Sequence, residues 1–285
     1  MRFWLALSFV ETDQALALAR AANDAGYYGI TVSDHLFAPE TRRSKYPYTP
    51  DGAPPFTDDS PWPDPWALIS AMAAVTERVR FTTNIYVAPL RDLFTVAKLV
   101  STASVISGGR VALGAAPGWC EEEFAQVGQA FAGRGARLEE MVGVLRQLWA
   151  GGWVEHHGKH FDFDALRIEP VPRSPIPVYL GGHSETALAR AARVGDGWIG
   201  NAYLPDEAEA MLVRVRQHLE AAGRTDDDFE IVLGLLARPT PELVARMETL
   251  GVTGLLCAPW MAAQGLHDRI AAIERFAAAT FSPTP

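Results

Sequence analysis

A short β-branched or apolar run is followed by a stretch with helical spacing about eight times along this chain, and no other feature constrains its fold as strongly. Such alternation is how repeated βα units read: a strand buried on both faces needs no polar side, and the return to a parallel neighbour needs a helical crossover. Strands are predicted over Arg2 to Phe9, Tyr28 to Ser33, Val79 to Val87, Arg110 to Ala116, Pro177 to Gly181, Gly197 to Gly200, Glu230 to Leu236 and Gly254 to Cys257. Helices fall between them, including Ala15 to Ala25 and Thr186 to Arg193, with a last one over Leu266 to Ala279. Eight consecutive units favour a closed (β/α)8 barrel, a TIM barrel spanning residues 1–285 as one domain, over a doubly wound open sheet. No Gly-x-Gly-x-x-Gly turn follows the first strand to argue for the open sheet.

Composition narrows the function. The chain has 34 acidic residues against 25 Lys and Arg and no basic stripe, so a surface that tracks nucleic-acid phosphates is excluded. The two cysteines, Cys120 and Cys257, suit a reducing cytoplasm and are too few for a zinc knuckle. Phe3 to Val10 is read as a buried strand and not as a secretory signal, because Glu11, Asp13 and an amphipathic helix follow at once. Nothing later in the chain has the length of a membrane span.

Two segments are too long to be simple connections. Ala38 to Pro65 holds eight of the twenty prolines, with Tyr46, Tyr48, Phe56, Trp62 and Trp66 in or beside it, so it is no helix interior. It leaves the C-terminal end of the second strand, where barrel enzymes place their sites, and is read as a wall or lid over a pocket; a packed Ω-loop without function is the plainer alternative. Gly151 to Pro175, before the fifth strand, is a second insertion. Its Phe161-Asp162-Phe163-Asp164 alternation predicts a short hairpin starting from the opposite rim.

Four constellations carry candidate chemistry. Asp34 and His35 end the second strand, where an imidazole can give or take a proton near neutrality, although a structural pair at a loop start looks the same. Gly181-Gly182-His183-Ser184 opens a helix, whose free N–H groups favour an anion such as phosphate and whose Ser184 is also an ordinary cap. Gly114 to Trp119 leaves room for a flat group at the sheet mouth, and the Glu121-Glu122-Glu123 run after it is assigned to the helix dipole. His156, His157 and His160 lack a carboxylate or cysteine partner at ligand spacing, and a metal-dependent hydrolase centre from His35, His183 and Asp196 lacks the usual His-x-His pair, so no metal site is expected.

Taken together, the motifs resemble the luciferase-like monooxygenase superfamily, and within it the branch of oxidoreductases that use the deazaflavin coenzyme F420. The resemblance runs through Thr31 to Leu36, Arg80 to Ile85, Pro89-Leu90-Arg91, Ser107 to Arg110, Gly118 to Phe124, Pro177 to Gly182 and Gly195 to Trp198. It implies a homodimeric (β/α)8 barrel that binds F420, or alternatively FMN, across the C-terminal strand ends and acts on a small-molecule substrate. By the same resemblance Asp34 meets the pyrimidine edge of the ring and His35 faces the substrate. Asn84 and Ile85 are implied to be joined by a non-prolyl cis peptide behind the ring. Ala116, Gly118 and Trp119 are implied to lie near its central edge, with Gly181, Gly182 and His183 around the phosphate tail.

Departures from the pattern matter too. Trp119 stands where the sugar-phosphate dehydrogenases of the F420 branch carry a carboxylate, which argues against that substrate. Cys120 replaces a common Asn, and Pro117 removes one backbone N–H from its loop. The implied reaction is hydride transfer with His35 handling the proton. An FMN monooxygenase using dioxygen and a non-catalytic flavin-binding protein are the alternatives.

Overall fold

The computed structural model describes residues 1–225 and 227–281. In chain order the strands are β1 (Arg2–Ala6), β2 (Gly29–Val32), β3 (Arg80–Thr83), β4 (Val111–Ala115), β5 (Val154–His157), β6 (Asp162–Leu166), β7 (Val178–Gly181), β8 (Gly197–Tyr203), β9 (Glu230–Leu235) and β10 (Gly254–Cys257). The α-helices are α1 (Ala15–Asp24), α2 (Pro65–Ala74), α3 (Leu93–Ile106), α4 (Glu121–Gln126), α5 (Arg134–Ala150), α6 (Glu185–Val194), α7 (Pro205–Ala221), α8 (Pro241–Thr249) and α9 (Gly265–Thr280).

Eight parallel strands close a barrel in the order β1-β10-β9-β8-β7-β4-β3-β2, as the recurring βα pattern predicts, while β5 and β6 pair only with each other as an antiparallel hairpin. The period of two along each strand sorts its side chains into two layers. Trp4, Ala112, Tyr179, Ile199 and Val232 point into the barrel and pack together. Their neighbours Leu5, Phe81, Leu113, Leu180 and Leu233 point outward into the larger core under the helices. Helix starts are set locally: Asp64, Asp92, Ser184 and Thr240 each accept the N–H of the residue three positions on. Pro65 and Pro241 occupy first-turn positions that need no donor.

Three boundaries differ from expectation. β1 stops at Ala6 and β3 at Thr83, because the chain leaves the ladder to build the rim, whereas β8 runs on to Tyr203 through an irregular register. The two insertions separate by end. Residues 36–64 rise from the C-terminal end of β2, and residues 151–177 with the β5-β6 hairpin lie on the way into the N-terminal end of β7. No helix of the described residues is long and apolar enough to cross a membrane.

Arg110 holds the N-terminal rim. Its guanidinium donates to the carbonyls of Val79 at 2.7 Å, Ala73 at 2.8 Å, Thr76 at 2.9 Å and Ser107 at 2.8 Å, so one side chain joins the end of α2 to the starts of β3 and β4. Arg110→Ala leaves these carbonyls without donors and is expected to cost about 3 kcal/mol, by the worth of hydrogen bonds to charged groups. Guanidinium denaturation checks this: the midpoint should fall at unchanged slope, and an unmoved midpoint contradicts the assignment.

Candidate active site

β2 ends at Val32, and the backbone turns so that Asp34 and His35 take separate partners. Asp34 is buried, and its carboxylate accepts the two terminal nitrogens of Arg91 at 2.6 and 2.8 Å and the N–H of Val87 at 2.9 Å. Burial, the largest influence, holds this carboxyl above its ordinary value against the opposing pull of the Arg91 guanidinium and the Val87 N–H. The Arg91 guanidinium also sits 4.4 Å from the Tyr86 ring centre. Asp34 is therefore a clamp between β2 and the turn after β3.

His35 takes a partner that sequence reasoning missed. Its Nδ1 lies 2.9 Å from Oε2 of Glu123, whose Oε1 accepts the Leu36 N–H at 2.8 Å. The Glu123 side chain is only 2% exposed and that of His35 12%. A buried carboxylate accepting Nδ1–H fixes the tautomer and leaves Nε2 as the open nitrogen, which carries no hydrogen bond among the described residues. Aromatic rings surround it: Trp62 at 4.8 Å, Phe56 at 5.2 Å and Trp119 at 5.6 Å between ring centres.

The glutamate run at α4 does more than complement a helix dipole. Glu122 accepts the N–H groups of Arg43 at 2.6 Å and Ser44 at 3.1 Å, and Ser44 Oγ accepts the Glu121 N–H at 2.9 Å. Although partial burial pushes the Glu122 carboxyl up, the Arg43 N–H and the hydroxyl and N–H of Ser44 bring it down to about 2. The Pro-rich loop is thus pinned to α4 by backbone bonds. Its rings close over the barrel mouth: Phe56 and Trp62 meet Phe9 from β1's end, Tyr46 meets Trp119, and Tyr48 meets His183.

Behind His35 lies the Asn84–Ile85 peptide, which is cis. Neighbouring strands hold it: Asn84 N–H donates to Val32 O at 2.7 Å, Ser33 Oγ donates to Asn84 O at 2.9 Å, and Tyr86 N–H donates to Gly114 O at 2.8 Å. Ile85 packs where Gly181 and Ala116 leave space; a Cβ at Gly181 would stand 3.0 Å from Ile85 Cγ1 and 3.6 Å from the Ala116 Cβ. Gly182 has φ +123°, a Cβ there would come within 2.7 Å of the Ala187 Cβ, and its carbonyl accepts the Trp198 indole N–H at 3.0 Å. Gly118 opens the loop toward α4 and its carbonyl accepts Nε of Arg134 at 2.9 Å. Gly181 and Ala116 are thus small where the Ile85 side chain needs the space.

His183 stacks on Tyr203 with ring centres 4.7 Å apart. Burial, with Arg214 nearby, pushes its pKa down to about 4. Asp196, in contrast, sits at the N-terminal end of β8, bound by Arg146 at 2.8 Å and the Val178 N–H at 2.8 Å, so it shares no centre with His35 and His183. His156 Nε2 lies 3.3 Å from Glu140, whose carboxylate also accepts the His160 N–H at 3.0 Å, while His157 meets Asp162; among the described residues no group of three or more His, Cys, Asp or Glu is placed to hold a metal.

The profile of the luciferase-like monooxygenase family matches residues 4–242. The chain belongs to that family. As a luciferase-like oxidoreductase it is 38% identical over 256 residues to an uncharacterised protein of Mycobacterium tuberculosis, covering 90% of this chain and 88% of that one. It is 30% identical over 239 residues to the F420-dependent glucose-6-phosphate dehydrogenase of Mycolicibacterium fortuitum, covering 81% of this chain and 66% of that one. The crystal structure of the monooxygenase RslO1 from Streptomyces bottropensis shares the luciferase-like fold, with a TM-score of 0.78 at 18% identity over 99% of both chains.

His183 generates a pH prediction. With its pKa at about 4 against an ordinary 6.5, the unfolded chain binds a proton between these values that the folded chain does not. Its contribution to stability is complete above about pH 6.5 and is lost as pH falls to about 4. Urea midpoints at pH 7 and pH 4.5 should show a smaller drop for His183→Gln than for the wild type, and equal drops would contradict this.

Proposed function

We propose that this protein transfers a hydride between the deazaflavin F420 and a small organic substrate, with His35 giving or taking the accompanying proton. The observation that carries the reading is the His35–Glu123 dyad: a buried carboxylate holds Nδ1 and leaves Nε2 free under an aromatic lid beside the Asn84–Ile85 floor. The homodimer, the single-domain organisation and the cytoplasmic location implied by the resemblance belong to the same proposal.

A planar tricyclic group fits the residues present. Ile85, packed against Ala116 and Gly181, would support one face of the ring, and Gly182 leads to the N-terminus of α6, whose orphan N–H groups suit a phosphate. Arg214 donates to the His183 carbonyl at 3.2 Å and pairs with Glu185, offsetting the one acid in the first turn of α6. When bound, the deazaflavin supplies or accepts the hydride. The chain supplies the rest. Nε2 of His35 takes the proton from a substrate hydroxyl or returns it to a carbonyl oxygen, and Glu123 stabilises the imidazolium that results. Asp34, through Arg91 and Val87, holds the strand end that carries His35. Phe56, Trp62 and Trp119 keep water from the reacting atoms.

The similarity to the 30% identical F420-dependent enzyme supports the deazaflavin, while the family's description as monooxygenases supports an oxygen-using reaction, with FMN as the cofactor, as the second reading. Titrating the purified protein with F420 and with FMN, then assaying small alcohols and aldehydes under argon and under air, separates them. F420 binding with oxygen-independent turnover is expected. FMN binding with oxygen consumption overturns the first reading in favour of the second, and binding without turnover of any kind favours a flavin-sequestering role.

The dyad is testable by itself. His35→Asn should retain cofactor affinity and lose about 10²- to 10⁴-fold in kcat, the usual worth of a positioned acid-base group. Glu123→Gln should retain affinity and lose a smaller factor, recovered in part by Glu123→Asp; full activity in His35→Asn would remove this residue from the reaction.

A further inference from the structure

At the N-terminal ends of the strands, the opposite end from His35, a cavity of about 680 Å³ opens between the barrel and the loop that leads into β7. Its size is that of a small-molecule site. The inner side is made by the lowest inward residues of the barrel, Arg2, Arg80, Tyr179 and Glu230, each in register with a glycine or with another inward residue on the adjacent strand. The outer side is Val171 to Pro177, where Pro172, Pro175 and Pro177 fix the backbone and Val171 and Ile176 turn the wall apolar.

Charges in this cavity do not cancel. Arg2 is paired with Glu230 and stacks over Tyr28, and Arg146 is paired with Asp196 at 2.8 Å. Arg80 and Arg173 also line the cavity, and neither side chain makes a hydrogen bond or ion pair among the described residues. The acid left over is Asp228, which is exposed, whereas Arg80 is half-buried. A solvated carboxylate on the rim screens little of a charge held below it. Arg80, partly desolvated, and Arg173, exposed at the rim, facing an apolar, pre-shaped wall make a pocket of two halves, and a ligand of two halves fits it.

We propose that this cavity is a second binding site, for a small organic acid whose carboxylate meets Arg80 and Arg173 and whose apolar body lies against Val171, Pro175 and Ile176. The guanidinium fork matches a carboxylate bidentately, and the apolar wall distinguishes an organic acid from an inorganic anion. The site is independent of the cofactor reading, since it shares no residue with the mouth. It gives this end of the barrel a ligand-binding role separate from the chemistry at the other.

Calorimetric titration of the full chain with benzoate tests it, with benzamide as the neutral counterpart and inorganic phosphate as the charge without the body. Saturable one-to-one binding of benzoate is expected, with both controls weaker. Arg80→Gln and Arg173→Gln should each weaken benzoate about tenfold, the equivalent of roughly 1.4 kcal/mol. Because neither arginine has a partner to lose, the Tm of both variants should match the wild type, which separates a lost site from a lost fold. Arg42→Gln, in the lid at the far end, should bind benzoate normally. The proposal is overturned by absence of saturable binding to the wild type, by wild-type affinity in both variants, or by loss of binding in Arg42→Gln.

Discussion

The geometry of the mouth depends on one buried ion pair, Asp34 with Arg91. Three contacts converge on the Asp34 carboxylate, two from the Arg91 guanidinium and one from the Val87 N–H, and all of them tie the end of β2 to the turn after β3. That turn carries the Asn84–Ile85 peptide, and the end of β2 carries His35, so the pair sets the spacing between the floor of the site and its imidazole. Removing either partner would leave a charge stranded in the interior, which typically costs 3 to 5 kcal/mol. An apolar replacement of both could preserve stability and still lose the register. What the pair contributes is position more than energy.

From that clamp the rest of the mouth is assembled by short polar links between strand ends. Ser8, Ser33 and the Asn84 carbonyl form a chain at 2.6 and 2.9 Å across β1, β2 and β3. Glu122 and Glu123, adjacent on α4, hold the lid backbone and the imidazole respectively, so the lid and the working group share one support. The position of this loop and the orientation of His35 therefore depend on the same helix. Burial raises the Cys120 thiol, at the cap of the same helix, to about 11, which keeps it out of acid-base chemistry near neutrality.

Periodicity made the barrel legible before any contact was known, because a strand buried on both faces leaves a mark on every residue it contains. It was least informative where the ladder stops. β3 was expected to run to Val87, since Ile85, Tyr86 and Val87 are apolar and β-prone, yet the ladder is interrupted after Thr83: Ile85 packs at Gly181 and Val87 donates to Asp34, both far along the chain, while Tyr86 alone rejoins β4 at Ala115. Glu123 was hidden for the same reason: its partner His35 is 88 residues away, and locally it is the third acid of a helix start. The one local signal was Phe124 beside it, fully buried, which shows that this face of α4 packs inward and that an acid on it needs a partner. Arg110 and Asp196, conspicuous in the sequence near glycines, turn out to serve the N-terminal rim and not the chemistry.

The two rims therefore carry different kinds of polar group, and the difference follows from how a parallel barrel is built. At the N-terminal rim, arginines reach backbone carbonyls and acids of neighbouring units, as Arg110 does at Val79 and Arg146 at Asp196, and the resulting contacts are satisfied within the protein. At the C-terminal rim His35 has one side satisfied and one side open: it is held at Nδ1 by Glu123 and free at Nε2. A group satisfied on both sides stabilises a fold. A group satisfied on one side is oriented toward something else, and Arg80 and Arg173, unpaired among the described residues on a rim where Arg110 and Arg146 are paired, are out of keeping with a purely structural role.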